Sequence, residues 1–193
     1  MHHIAIFASG AGSNAQAIIN YFKNHPSIRI SLIVSNKPQA GVLSIAQREN
    51  IPSLIIEKEK FFRGDAYLPE LKNAKIDFIV LAGFLWKVPE KLIEAYRNSI
   101  VNIHPALLPK YGGKGMYGDK VHETVIANKE KESGITIHYV DEHYDNGDVI
   151  LQKTCPVLED DSPNSLAQRI HKLEHANYPI TIEKILSKPT IGR

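Results

Sequence analysis

Two residues stand out for chemistry, Asn102 and His104, in the run Asn102-Ile103-His104-Pro105 that closes an apolar stretch beginning at Ser99. In an extended chain, residues two apart share a face, so both polar side chains point together at the end of a predicted strand. An amide N–H donates to a carbonyl oxygen that is gaining charge. An imidazole does the same when protonated, and it moves protons near neutral pH. Such a pair suits acyl transfer, where donors aimed at a developing oxyanion lower the barrier. A histidine at a strand end also serves structure alone, and the spacing leaves both readings open. A nearby carboxylate favours a charged imidazole. Asp145, in the acidic turn 141–147, is the natural candidate, with Asp141, Glu142 and Asp148 competing for the role, and position in the sequence does not place any of them beside His104.

A second feature is the run Ala8-Ser9-Gly10-Ala11-Gly12-Ser13-Asn14, between a predicted strand and a predicted helix. Glycines let the backbone turn tightly and approach a ligand, and a helix start offers unpaired N–H groups with partial positive charge. Ser13 and Asn14 add side-chain hydrogen-bonding groups. A nucleotide P-loop would need Lys followed by Ser or Thr, and Ser13-Asn14 stands there instead. A dinucleotide fingerprint is matched loosely, with Ala15 at the third small position. The acidic residue expected at the end of the second strand is missing, since that strand ends Ser35-Asn36-Lys37. The reading is a monophosphate site, against the plain alternative of a strand–helix turn.

The elements that must position these residues follow from periodicity. Apolar runs at 4–8, 29–35, 53–57, 77–83 and 99–103 read as strands. Helical patterns at 14–23, 42–48, 61–71 and 89–96 lie between them, the last with Pro89 in its first turn. Continuous apolar strands alternating with helices predict a parallel sheet covered on both faces. The rest differs: a Gly-, Pro- and Lys-rich loop at 107–118, a helix at 119–128, then strands at 134–140 and 148–157 joined by the turn signal Asn146-Gly147, as in an antiparallel pair. Asp161-Ser162-Pro163 opens a long C-terminal helix. The expected fold is α/β, an open, mostly parallel, doubly wound Rossmann-like sheet with an antiparallel C-terminal part and a long C-terminal helix.

Composition bounds the function. The chain has 193 residues, which suits one domain, and 43% apolar residues, which suffice for a core. Net charge is +2 without a dense basic patch, so nucleic acid is not an expected partner. The longest apolar runs, such as 78–83, are too short to span a bilayer. Cys155 is the single cysteine, which excludes an internal disulfide and reads as a buried, inert thiol. The N-terminus lacks a charged start with an apolar h-region, so the expected location is the cytoplasm. His2, His3, His122, His138 and His143 lack metal-ligand spacing, and no metal is expected.

The run Asn102-Ile103-His104-Pro105-Ala106-Leu107-Leu108-Pro109-Lys110-Tyr111 resembles the signature of the folate-dependent formyltransferases. Phe7-Ala8-Ser9-Gly10-Ala11-Gly12-Ser13-Asn14 is similar to the start of the family's glycinamide ribonucleotide branch. Leu81-Ala82-Gly83-Phe84 and Asp145-Asn146-Gly147-Asp148-Val149-Ile150 match as well, so the resemblance covers nearly the whole chain in order. It implies 10-formyltetrahydrofolate as cosubstrate and the amine of 5-phosphoribosylglycinamide as acceptor, in purine synthesis. It implies a single domain over 1–193, with a phosphate-binding half (1–100) and a catalytic and folate-binding half (101–193).

By the same resemblance, Asn102, His104 and Asp145 are catalytic, and Gly12, Ser13 and Asn14 bind the phosphate. His171 and Glu174 contact the acceptor, Glu174 facing its ribose hydroxyls. Leu85, Trp86, Lys87 and Val88 line the pterin pocket, Asp141, Glu142, His143, Tyr144 and Asp145 form its other wall, and Asn102 and Arg63 also contact folate. Trp86 departs from the family's basic residue, Gly64 rather than Arg63 holds the ungapped position of a folate-contacting arginine, and the loop 112–118 has no close match. The expected assembly is a monomer or homodimer with small-molecule substrates only. Methionyl-tRNA formyltransferases and formyltetrahydrofolate hydrolases carry an additional C- or N-terminal domain, and a chain running from a first strand at Ile4 to Arg193 is expected to have neither. A non-catalytic phosphate binder on the same scaffold is the alternative from another class.

Overall fold

The computed structural model describes residues 1–187, so the last six residues of the expected 1–193 domain lie outside the described residues. Seven strands form one sheet: β1 (His2–Phe7), β2 (Ile28–Ser35), β3 (Ser53–Ile55), β4 (Phe78–Leu81), β5 (Ile100–His104), β6 (Glu132–Tyr139) and β7 (Val149–Pro156). Their spatial order is β3-β2-β1-β4-β5-β6-β7. The first five run parallel, and β6 and β7 run antiparallel to their neighbours. The expected mixed sheet is thereby observed. Chain order reverses at β1, which pairs with β2 on one side and β4 on the other. Such a switch point opens a crevice at the carboxyl ends of the strands.

Two cores explain the continuous apolar strands. Ile4 and Ile6 of β1 face one cluster and Ala5 and Phe7 the other, as strand alternation requires. The first cluster is closed by α1 (Ser13–Phe22), α2 (Gly41–Arg48), α6 (Asp119–Ala127) and α7 (Pro163–Leu186). The second is closed by α3 (Lys58–Phe62), α4 (Leu68–Asn73) and α5 (Glu90–Ala95). Cys155 is buried at the first cluster, and burial raises its thiol pKa.

The helix expected over 61–71 is two short helices. Gly64, with φ 88°, turns the chain left-handed after α3, and Pro69 sits in the first turn of α4. Both residues punctuate a helix more strongly than the apolar spacing sustains it. Pro89 is the N-cap of α5 rather than a first-turn residue.

The 24-residue α7 starts with a reciprocal capping box between Ser162 and Ser165. Arg169 then grips the Asp161 carboxylate with two nitrogens at 2.6 and 3.0 Å, and this holds the carboxyl well below its usual pKa range. Further along, the fully buried Tyr178 donates from its hydroxyl to the Leu81 and Val101 carbonyls, at 3.0 and 3.2 Å. This joint ties the helix to β4 and β5, whose ends bear the cleft. Tyr178→Phe removes the donor and leaves both carbonyls without it. We expect a loss of about 1–3 kcal/mol in chemical denaturation, with the sheet retained by circular dichroism.

Candidate active site

A cleft of about 740 Å³ opens at the carboxyl edge of β1, β4 and β5. At one end the chain leaves β1 through 8–12 and enters α1. Gly12 is the N-cap of α1 with φ 85°, in the left-handed region, and no side chain caps the helix. The first N–H groups of a helix have no intrahelical partner, so this end presents donors and partial positive charge. A Cβ at Gly12 would lie 2.9 Å from both Ile45 and Val42, so α2 packs too close for a side chain there. The loop is fixed to its neighbours: Val42 N–H donates to the Gly10 carbonyl at 3.2 Å, and Ser9 Oγ accepts from Leu85 N–H at 2.9 Å while donating to Asn36 Oδ1 at 2.6 Å. Gly12, Ser13 and Asn14 all line the cleft, together with Lys37.

Asn102 and His104, at the end of β5, line the same cleft with Asp145. Antiparallel pairing sets Asn102 opposite His138 and His104 opposite Thr136. His138 Nδ1 lies 2.7 Å from the Tyr139 carbonyl and must donate to it. Its Nε2 therefore carries a lone pair, which accepts from Asn102 Nδ2 at 3.1 Å. Burial lowers the His138 pKa, which agrees with a neutral ring. That bond orients the Asn102 amide and leaves its second N–H free.

His104 is 4% exposed, and its Nε2 donates to the Tyr111 carbonyl at 2.7 Å. Nδ1 is then the ring nitrogen free to exchange a proton, and Asp145 Oδ2 stands 3.6 Å from it. Asp145 Oδ1 is 3.8 Å from His138 Nε2, and Oδ2 accepts from Gly113 N–H at 2.9 Å. Asp145 and Tyr111 both have left-handed backbones, φ 52° and 57°. Non-glycine residues hold such conformations at about 1 kcal/mol or more where surrounding contacts over-determine them. Here those contacts deliver one carboxylate and one carbonyl to His104. Of the four acidic residues that the sequence leaves open, only Asp145 reaches the histidines.

A third network joins α1 to α7. Glu174, 4% exposed in α7, accepts from Asn14 Nδ2 at 2.9 Å, and His171 Nδ1 lies 2.9 Å from the same oxygen. This hydrogen bond raises the His171 pKa. His171 and Glu174 line the cleft at the α1 end.

A smaller recess of about 80 Å³ adjoins the cleft through Asn102, Tyr144 and Asp145. Trp86, Lys87, Val88, Asp141 and His143 line it, and Leu85 lines the main cleft. Trp86 leans on Phe61 and Phe62, with ring centroids 5.8 Å apart in each case, so this wall is aromatic where a basic residue was the family's habit. Lys87 Nζ lies 5.9 Å from the Tyr144 ring centroid, bringing the two walls together. Arg63 is the C-cap of α3 and Glu142 is half-buried in the acidic turn; neither lines the cleft or this recess.

Among the lining residues that escaped the sequence reading are His138, His122 and Lys37. His138 had a signal, since it shares the polar face of β6 with Thr136, yet both are buried. Polar residues buried on a strand face mark a network. Among the described residues, no group of three or more His, Cys, Asp or Glu side chains converges as a metal site would require, and no helix is long and apolar enough to cross a membrane.

The family model described as formyl transferase matches residues 2–182. The chain is similar to phosphoribosylglycinamide formyltransferase of Bacillus subtilis, at 38% identity over 96% of this chain and 95% of that one. It is 39% identical to the chloroplastic phosphoribosylglycinamide formyltransferase of Vigna unguiculata over 98% of its own length, and it spans 62% of that relative. The chain thus covers about three fifths of the plant relatives it matches. Among solved structures, the phosphoribosylglycinamide formyltransferase of Bacillus halodurans superposes with a TM-score of 0.87 at 38% identity, over 96% of both chains. Glycinamide ribonucleotide transformylase 1 of Symbiobacterium toebii gives 0.89 at 29% identity, over 100% of this chain and 91% of that one. A match across nearly the whole chain, with the cleft built on the elements that carry it, makes this chain a member of the formyl transferase family.

Proposed function

We propose that the chain transfers the formyl group of 10-formyltetrahydrofolate to the amine of 5-phosphoribosylglycinamide, giving the N-formyl product and tetrahydrofolate. The observation that carries this reading is one continuous cleft with an uncapped helix start at one end and Asn102, His104 and Asp145 at the other. The first suits a phosphomonoester, the second an acyl group under attack. The relatives' names agree with both.

The carrier supplies a formyl group already activated for transfer. The protein's part is alignment and charge. Gly12, Ser13 and Asn14 would hold the acceptor's phosphate, and Glu174 and His171 its ribose. The recess lined by Trp86, Lys87, Val88, Asp141, His143 and Tyr144 would hold the folate ring, with Leu85 at its edge. Arg63 and Glu142 have weaker claims from their positions. Holding two reactants in register removes much of the entropic barrier.

At the reaction centre, the free N–H of Asn102 would donate to the formyl oxygen as negative charge grows there. His104 would donate from Nδ1 when protonated, since Tyr111 already takes the Nε2 proton. Asp145 Oδ2, 3.6 Å from Nδ1, faces a proton at that position. As the acceptor amine bonds to carbon it releases a proton, which the leaving folate nitrogen takes up. Asp145, through a water it holds, would relay it.

The direct test incubates purified protein with both substrates and follows the formylated product; binding of the phosphoribosyl ligand without transfer would leave only a phosphate binder. Asn102→Ala should lower kcat about a hundredfold, the scale of one oxyanion donor. For Asp145→Asn we expect a large fall in kcat and a moved acidic limb of the pH–rate profile; wild-type activity with an unmoved limb would sink the assignment.

Glu174→Gln should bring the raised His171 pKa down towards the ordinary value, read by NMR titration of the ring protons. By linkage, a raised histidine pKa stabilises the fold below about pH 6.5, and that contribution fades as pH rises through the folded value. The variant should lose this contribution, together with acceptor affinity. An unchanged His171 titration would separate the two residues.

A further inference from the structure

His122 lies on α6, is 2% exposed and lines the main cleft. Its ring makes no hydrogen bond among the described residues, and Nδ1 is enclosed without a partner. Only one other buried side-chain atom is unpartnered among the described residues, Asn14 Oδ1, and Asn14 lines the same cleft. Buried polar groups are nearly always satisfied; Nε2 of His122 also lacks a protein partner and, unlike Nδ1, is not fully enclosed, so it is the ring nitrogen that a ligand in the cleft can complete.

The ring's protonation state follows from its surroundings. Burial, and the charge of His171, push the His122 pKa down, while Glu174 and Asp119 oppose the shift and His104 adds to it. The imidazole is therefore neutral at pH 7, with one N–H and one lone pair. An enclosed N–H without an acceptor is rarer than an enclosed acceptor without a donor. The proton belongs on Nε2, and with Nδ1 enclosed, Nε2 is the ring nitrogen left for the cleft.

His122 shares the cleft lining with residues of both ends of the site. His171 and Glu174 belong to the sugar-phosphate end, and His104 to the reaction centre. A neutral donor suits an uncharged oxygen better than a phosphate. Between ribose and amine the acceptor has one such oxygen, the amide carbonyl.

We propose that His122 is a further acceptor-binding residue whose Nε2–H donates to the amide carbonyl of the glycinamide, fixing the reach of the amine towards His104. This rests on the acceptor named above and assigns a specificity contact within it: the protein reads the amide and not only the sugar phosphate.

The test measures binding by calorimetry for 5-phosphoribosylglycinamide and for ribose 5-phosphate, which lacks the amide. A Gln side chain places its amide near Nε2 of the histidine it replaces, and Asn near Nδ1. His122→Asn should weaken the glycinamide ligand about 3- to 10-fold, the scale of one neutral hydrogen bond, and His122→Gln less than about twofold. Ribose 5-phosphate should bind alike to all three proteins, which also reports a folded cleft. Equal affinities of the two variants for the glycinamide ligand would overturn the proposal, as would a parallel loss for ribose 5-phosphate. The ring nitrogens of wild-type His122 give a reading independent of any variant: nitrogen NMR should show the Nε2–H tautomer, and Nδ1–H would refute it. A wild-type protein that binds ribose 5-phosphate and not the glycinamide ligand overturns both this contact and the functional reading; formyl transfer with unmoved variant affinities overturns this contact alone.

Discussion

The Asp145 carboxylate is where three otherwise separate segments meet. It accepts from the Gly113 backbone in the glycine-rich loop, stands 3.6 Å from His104 at the end of β5, and 3.8 Å from His138 in β6. A largely buried carboxylate needs partners, because desolvation penalises its charge. The loop amide supplies one, and His104 supplies a second when its Nδ1 is protonated. The requirement works in both directions: the charge locates the loop, and the loop closes one wall around the charge. The turn that carries Asp145 is held in turn by Gly147, where a Cβ would collide with the Tyr139 carbonyl.

The antiparallel β5–β6 pairing is what makes this meeting possible. Parallel strands up to β5 end their polar residues at one edge. A further parallel strand would add another strand end there, reached through a crossover helix. An antiparallel β6 instead runs back beside β5 and sets His138 against Asn102 side by side. The turn after β6 then delivers Asp145 to that edge. Thr136, one register step along, donates to the Ala106 carbonyl and accepts from Leu108 N–H, pinning the chain as it leaves His104. The polar centre is a product of register more than of local sequence.

The opposite end of the cleft depends on α7. Asn14 and Glu174 are 160 residues apart in sequence and 2.9 Å apart in space. Tyr178, one turn beyond Glu174, anchors the helix to the carbonyls of β4 and β5. The α1 start, the sheet edge and α7 are therefore tied to one another. The loop 112–118 is the part of the lining with left-handed glycines at 113, 115 and 118.

Much of this was legible in the amino-acid order because it is local. Strand and helix periods gave the sheet class, the strand spacing gave Asn102 and His104 a common face, and the glycines before α1 gave a tight turn into a helix start. Where local signals competed, reading by apolar spacing failed: Gly64 and Pro69 broke the helix expected over 61–71. Family resemblance, rather than spacing, singled out Asp145 from its acidic neighbours. What only the tertiary structure decided is non-local: which carboxylate reaches His104, that His138 orients Asn102, that Tyr111 contributes its carbonyl, and that His122 stands without a protein partner in the cleft. These depend on strand register and on the docking of α6 and α7. Both are set by burial summed over whole elements, and no short stretch of sequence carries that sum.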